Sequence, residues 1–215
     1  MKRIKVAKIP ITIKENDQDG IDEYLRNHHI NSMSYQPWVQ YQSDSQVNFV
    51  IAHHHDRLLV KFDVKERELN ASVRPVNGNI HQDNCVEIFI AFGNDTNYYN
   101  CEFNCLGSAK VGYGKSKNGR TLLTEEMIKK VRINAALNFS TGTTDQFFNW
   151  EMLIIIPKDL FQFSSIETFT GAQCKANFYK CGDHLSAPHF FSWNLVESIH
   201  PDFHQPKFFG ELLFE

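Results

Sequence analysis

A chain of 215 residues, 42% hydrophobic and 22% charged, is long enough to bury a sizeable core and too apolar to remain disordered. Its formal charge of -3 carries no basic excess to grip a phosphate backbone or an anionic membrane, which sets aside nucleic acid and lipid surfaces as partners. The 18 Phe and 7 Tyr lean toward sheet, where aromatic side chains supply large buried area.

Residues 1–13 alternate weakly and read as an edge strand, followed by a turn at Asn16-Asp17-Gln18-Asp19-Gly20. A short helix is expected over 21–31, capped by Asp19, with Ile21, Tyr24 and Leu25 on one face. Residues 1–40 read as an N-terminal flank or lid. The basic opening lacks the apolar run of a secretory signal, and no later segment is long and apolar enough to span a bilayer. A soluble, cytoplasmic protein is expected from the chain as written, and a secreted or periplasmic one if a leader has been removed.

Trp38 is expected to pack rather than to hold a ligand. Strands follow over 46–52 and 58–65, joined by His53-His54-His55-Asp56-Arg57. The three histidines read as a polar turn tip, because adjacent side chains diverge on an extended chain and cannot converge on one ion.

Asp83-Asn84-Cys85-Val86-Glu87-Ile88-Phe89-Ile90-Ala91-Phe92 and the stretch from Tyr98 through Cys105 each alternate with period two around Gly93-Asn94-Asp95-Thr96-Asn97, the pattern of a β-hairpin. Val86, Ile88 and Ile90 then share a dry face with Tyr99, Cys101, Phe103 and Cys105, while Glu87 turns to the other side with Tyr98, Asn100, Glu102 and Asn104. That polar face is either solvated or the floor of a groove.

Gly112, Gly114 and Gly119 lack the spacing and lysine of a phosphate loop. Residues 122–131 suit a short helix or lid. Strands are expected over 131–137, over 147–157 as a buried central strand, and over 174–181, 190–195 and 208–214, with a helical turn at 159–161. The sum is an all-β chain: an antiparallel β-sandwich of immunoglobulin or jelly-roll type with one or two short peripheral helices, forming a single domain over 1–215. Cys85, Cys101, Cys105, Cys174 and Cys181 have no Cys-x-x-Cys spacing and read as buried free thiols.

The order of several segments carries a resemblance: Asp83 through Phe89, Tyr99-Asn100-Cys101-Glu102-Phe103-Asn104, Trp150-Glu151 leading to Ile156-Pro157, Ala176 through Gly182, Ser192-Trp193, and the closing run from Pro201 to Gly210. Together, over residues 40–215, they resemble the family 9 carbohydrate-binding modules of the DOMON-type β-sandwich superfamily. The resemblance implies a non-catalytic protein that holds an oligosaccharide or polysaccharide chain end in a groove on one sheet. In the family an aromatic and a C-terminal tryptophan clamp the sugar, and a glutamate with a basic or amide partner binds its hydroxyls. Carried over, the glutamate is Glu87, the floor partner is Asn104 in place of arginine, the tryptophan is Trp193, and the first aromatic falls at His81. The expected ligand-binding set is His81, Glu87, Glu102, Asn104, Asn177, Tyr179 and Trp193.

Two other classes stay open. Glu87 and Glu102 on adjacent strands are the equipment of a glycoside-processing enzyme. DOMON-type relatives hold haem between methionine and histidine, but Met33, Met127, Met152 and the 10 histidines show no matching pattern. The acids Asp17, Asp19, Asp95 and Asp145 are too scattered for a calcium loop. No cofactor is expected, a structural calcium ion being the one addition that the resemblance allows, and the protein is expected to be a monomer.

Overall fold

A computed structural model describes residues 1–14, 16–54, 56–139 and 147–215. Its strands are β1 (Arg3–Lys8), β2 (Asn31–Ser32), β3 (Gln46–His54), β4 (Arg57–Glu66), β5 (Cys85–Phe92), β6 (Tyr98–Asn104), β7 (Ala109–Gly114), β8 (Thr121–Leu122), β9 (Arg132–Phe139), β10 (Phe148–Pro157), β11 (Gln173–Cys181), β12 (Phe190–Ser192) and β13 (Gly210–Phe214), with two helices, α1 (Gln18–Arg26) and α2 (Glu125–Ile128), among the described residues. The architecture is an all-β sandwich with short helices.

The strands run in the order β8-β7-β6-β5-β11-β13-β1-β3-β4-β10-β9, with β12 on β11 and β2 on β3. One layer extends from β8 to β1 and the other from β1 to β9. β1 belongs to both: Arg3 through Val6 pair in parallel with Glu211 through Phe214 of β13, and Ala7 and Lys8 pair with Ala52 and His53 of β3. The remaining pairings are antiparallel.

Alternation does the work of filling the space between the layers. Val86, Ile88 and Ile90 of β5 and Cys101 and Phe103 of β6 meet Val60, Phe62 and Ile154 from the opposite layer in one buried core. Phe49 of β3 stacks on Phe178 of β11 with ring centroids 4.0 Å apart, and burial of each such ring contributes about 1.5–3 kcal/mol. The hairpin between β5 and β6 closes with Asp95 N–H donating to Phe92 O.

Several expectations need correction. The first strand is interior, because Ile4 and Val6 are buried and both of its edges are used. Helix α1 begins at Gln18, three residues before the expected start, because Asp17 rather than Asp19 supplies the cap: its Oδ1 accepts from Gly20 N–H at 3.0 Å. The glycine-bearing stretch contains a strand, β7, that its composition concealed. His53 and His54 are not a turn tip: β3 runs on to His54, both side chains are buried, and His53 Nε2 lies 2.7 Å from Glu215 O. His55 lies outside the described residues, as does Asp145.

The outer face of β5, β6 and β11 is not open to solvent along its length. Cys85, Phe89, Ala91, Tyr98, Tyr179 and Cys181 form a second apolar cluster under Trp38, Phe203 and Phe209, so the segment after β12 roofs part of this face. Where that roof stops, a cleft begins. No helix among the described residues is long and apolar enough to cross a membrane.

Candidate functional site

The cleft has a volume of ≈ 480 Å³ and lies over the ends of β5, β6 and β11. Strand alternation places its floor: Glu87 on β5 is the direct register partner of Glu102 on β6 and of Tyr179 on β11. Glu87 and Glu102 are each only 4% exposed. Burial, and then the carboxylate of Glu102 across the pair, push the Glu87 carboxyl well above the usual range, against a Cys181 thiol that donates to its Oε1 at 3.2 Å.

Glu102 is held at one oxygen and bare at the other. Its Oε1 accepts from Asn100 Nδ2 at 2.8 Å and lies 3.6 Å from Lys110 Nζ on β7. Its Oε2 is buried with no hydrogen-bond partner among the described residues, and His81 Nδ1 stands 3.8 Å away, beyond hydrogen-bond length. His81 sits on a 3-10 turn, Ile80–Gln82, just ahead of β5. Its other ring nitrogen is 4.0 Å from Asp183, a residue beyond β11 whose carboxyl burial pushes up and His81 pulls back.

Arg120, in the connection that leads to β8, braces the floor. Its Nε donates to Asn100 Oδ1 at 2.6 Å and its Nη2 to Tyr98 O at 2.6 Å, while the guanidinium lies 4.4 Å over the Tyr98 ring. The Arg120–Asn100–Glu102 chain requires Gly112 on β7: a Cβ there would stand 2.7 Å from Asn100 Oδ1 and 3.2 Å from Arg120 Nε. Phe190, Pro201 and Phe203 form the apolar wall, with His204 beside them. Phe203 is buttressed from behind by Tyr179, stacked at 4.1 Å. Burial and the Arg120 charge hold the His204 imidazole at about 4, so it is neutral near pH 7 and is free to meet the Tyr98 hydroxyl at 2.8 Å.

Of the residues singled out from the sequence, His81, Glu87 and Glu102 line the cleft. Asn104 does not: its amide donates to Asp83 and Ser72 O, its oxygen accepts from Ser108 and Leu106 N–H, and it ties down the turn after β6. Asn177 is locked to the Asn194 backbone through both ends of its amide. Tyr179 lies behind the wall, donating to Phe203 O at 3.2 Å. Trp193 is in the core between the layers, edge-on to Phe178, and packs so close to Gly210 that a Cβ there would meet its ring at 2.4 Å. Asn100 shares the alternating face of Glu102, so it was open to selection by the same rule. Arg120, Asp183, Phe190, Phe203 and His204 arrive on connections or a short strand, where spacing carries no directional signal.

Two of the acids considered for calcium have partners within the chain. Asp17 caps α1, and Asp95 accepts from Tyr113 OH at 2.6 Å and from Asn97 N–H at 2.9 Å. Among the described residues, the group in which three metal-ligating atoms converge is Cys85, Glu87 and Cys181, with two sulfurs where calcium asks for oxygen.

A sequence profile described as Carbohydrate-binding family 9 matches residues 19–214. A candidate carbohydrate-binding protein from Bacteroides uniformis ATCC 8492 is 31% identical, with a TM-score of 0.87 over 100% of this chain and 99% of its own. A family 9 module from Caldicellulosiruptor kristjanssonii, solved with glucose and with cellotriose, is 16% identical with a TM-score of 0.59, over 100% of this chain and 96% or 94% of its own, which shows a shared fold. No curated protein gives a significant match. The chain belongs to carbohydrate-binding family 9.

Proposed function

We propose that the protein is a non-catalytic carbohydrate-binding module that takes the end of an oligosaccharide or glycan chain into the cleft between Glu102 and the Phe190 wall. The observation that carries the reading is Glu102, which lines a cleft with an aromatic side and whose Oε2 is buried with no hydrogen-bond partner among the described residues. Leaving such an oxygen unpaired costs about 1–3 kcal/mol or more, and a small turn of the carboxylate toward the cleft lets a sugar hydroxyl remove that cost by donating to it. His81, Lys110 and Asp183 surround the same space with further donors and acceptors, and half-buried Phe190 offers a flat face to the C–H side of a pyranose. The Caldicellulosiruptor module solved with glucose and cellotriose points to a gluco-configured chain as the first ligand to try.

Glu87 and Glu102 also bear on the enzyme alternative. As direct cross-strand partners their Cβ atoms are about 4.5–5.5 Å apart on one floor, close to the separation at which retaining glycosidases hold their two carboxyl groups. Activity on aryl glycosides that is lost in both Glu87→Gln and Glu102→Gln would favour hydrolysis over binding.

Trp38 is a built-in reporter, since its ring meets Phe190 at 5.6 Å and Phe203 at 5.7 Å. Titration of tryptophan fluorescence with gluco-, xylo- and manno-oligosaccharides is expected to give a saturable change with at least one series. Glu102→Gln and Phe190→Ala are each expected to weaken it about tenfold or more, with the fold intact by circular dichroism. A flat response from every sugar overturns the reading.

A further inference from the structure

The cleft floor holds more than hydroxyl partners. Cys85 and Cys181 are direct register partners across β5 and β11, and Glu87, two residues along from Cys85, turns to the same face. The two Sγ atoms and a Glu87 carboxylate oxygen all lie within 4.8 Å of one another, with Cys181 Sγ 3.2 Å from Glu87 Oε1. A four-coordinate zinc ion spaces sulfur and oxygen ligands about 3.5–3.8 Å apart, so small side-chain adjustments bring the three onto one ion. All three side chains are buried, and Glu87 and Cys181 border the cleft, which supplies an entry path.

A second observation points the same way. Glu87 confronts Glu102 across the strand pair, and the bare Glu102 Oε2 lies in the same pocket floor. Two buried carboxylates side by side are costly, and Lys110 at 3.6 Å is the lysine that approaches them. A divalent cation at Glu87 offsets that charge.

We propose that Cys85, Cys181 and Glu87 form a three-ligand site for zinc or a similarly thiophilic divalent cation, with the fourth position open to the cleft. Two thiolates and a carboxylate match the preferences of zinc and reject calcium and magnesium. On loading, the thiol protons, and the carboxyl proton where Glu87 carries one, pass to solvent as the metal–ligand bonds form, with no change of oxidation state. Glu102 stays outside the ligand set and faces whatever fills the open position.

The test is a Co²⁺ titration of the reduced, chelator-stripped protein, because thiolate ligation of Co²⁺ gives a near-ultraviolet charge-transfer band that oxygen and imidazole sites lack. The expected result is saturation at one Co²⁺ per chain, displacement by Zn²⁺, and loss of the band in Cys85→Ser and in Cys181→Ser. No band in the unmodified protein, or the same band in both variants, overturns the proposal. If a serine variant fails to fold, alkylation of the unmodified protein in mild denaturant decides: Zn²⁺ shields Cys85 and Cys181 but not Cys174 if the site exists, and shields all three alike or none if it does not. The proposal does not rest on the carbohydrate reading. The cobalt measurement contains no sugar and the oligosaccharide titration is run on stripped protein, so either idea fails without the other.

Discussion

Lys180 Nζ stands 2.7 Å from Glu66 Oε2, and both side chains are 0% exposed. The pair joins the two layers of the sandwich from inside, Glu66 reaching from β4 and Lys180 from β11. Trp150 donates its indole N–H to the other Glu66 oxygen, while Lys180 also donates to Cys181 O at 3.1 Å and meets His189 Nε2 at 2.9 Å. A charge pair that deep is sustained only because nearly every remaining hydrogen-bonding group has a partner.

Removing one charge is therefore expected to be far worse than removing both. Lys180→Met leaves the Glu66 carboxylate buried and unpaired and is expected to cost about 3–5 kcal/mol in urea denaturation. Lys180→Met with Glu66→Gln retains an acceptor for the Trp150 indole and is expected to regain most of that loss. A double variant no more stable than the single one contradicts the assignment.

Acid is expected to unfold the protein in two steps. Burial alone pushes Glu66 up, but Lys180, His189 and Trp150 outweigh it and hold the carboxyl at about 2, against an ordinary 4.5. Its folded value is depressed, so its stabilisation is complete above about pH 4.5 and declines as pH falls toward 2, by about 3 kcal/mol in all. His204, at about 4 against an ordinary 6.5, is kept neutral in the folded state. The unfolded chain takes up that proton first, so stability declines as pH falls from 6.5 to 4. Denaturation midpoints measured across pH 7 to 3 are expected to lose the upper limb in His204→Asn and the lower limb in Glu66→Gln.

Gly112→Ala is expected to dislodge the Arg120–Asn100–Glu102 chain, because the new methyl falls 2.7 Å from Asn100 Oδ1. Overpacking of this kind costs about 1–3 kcal/mol. Sugar affinity is expected to fall with it, whereas Gly119→Ala, on the neighbouring turn, strains only its own backbone at φ 68° and is expected to leave affinity unchanged. Parallel denaturation and fluorescence titrations separate the two effects.

Trp193→Ala is expected to act on stability rather than on the ligand. It empties a core position between Phe49, Phe178 and Gly210, for a loss of about 3–5 kcal/mol. The fraction that stays folded is expected to bind sugar with unchanged affinity. A loss of binding without a loss of stability would place this indole at the ligand instead.

Period-two alternation made the sandwich legible. The partition of Val86, Ile88 and Ile90 from Glu87, and of Cys101 and Phe103 from Asn100 and Glu102, follows from strand geometry alone. The site was legible only where the strands themselves carry it, at Glu87 and Glu102 and in the turn that presents His81. Trp193 illustrates the limit: it follows a short strand, and nothing local says which side of the sheet its indole will take. Glycines hid β7, since their low strand propensity masks a segment whose neighbours on β6 and β8 hold it in register. Arg120 was beyond reach because its partners, Asn100 and Tyr98 O, are 20 and 22 residues away and are met only after two turns.

The shared strand β1 sets a condition on how the molecule forms. Arg3 pairs with Glu211, a separation of 208 residues, and the same strand hands over to β3 at Ala7, the residue after Val6. The joint between the layers is thus assembled from the first and last strands, and its closure waits on the largest loop-closure entropy in the chain. Until β13 is made, its two neighbours β1 and β11 each keep an edge unpaired, which makes for slow, high-contact-order folding and exposes those edges to pairing with other chains.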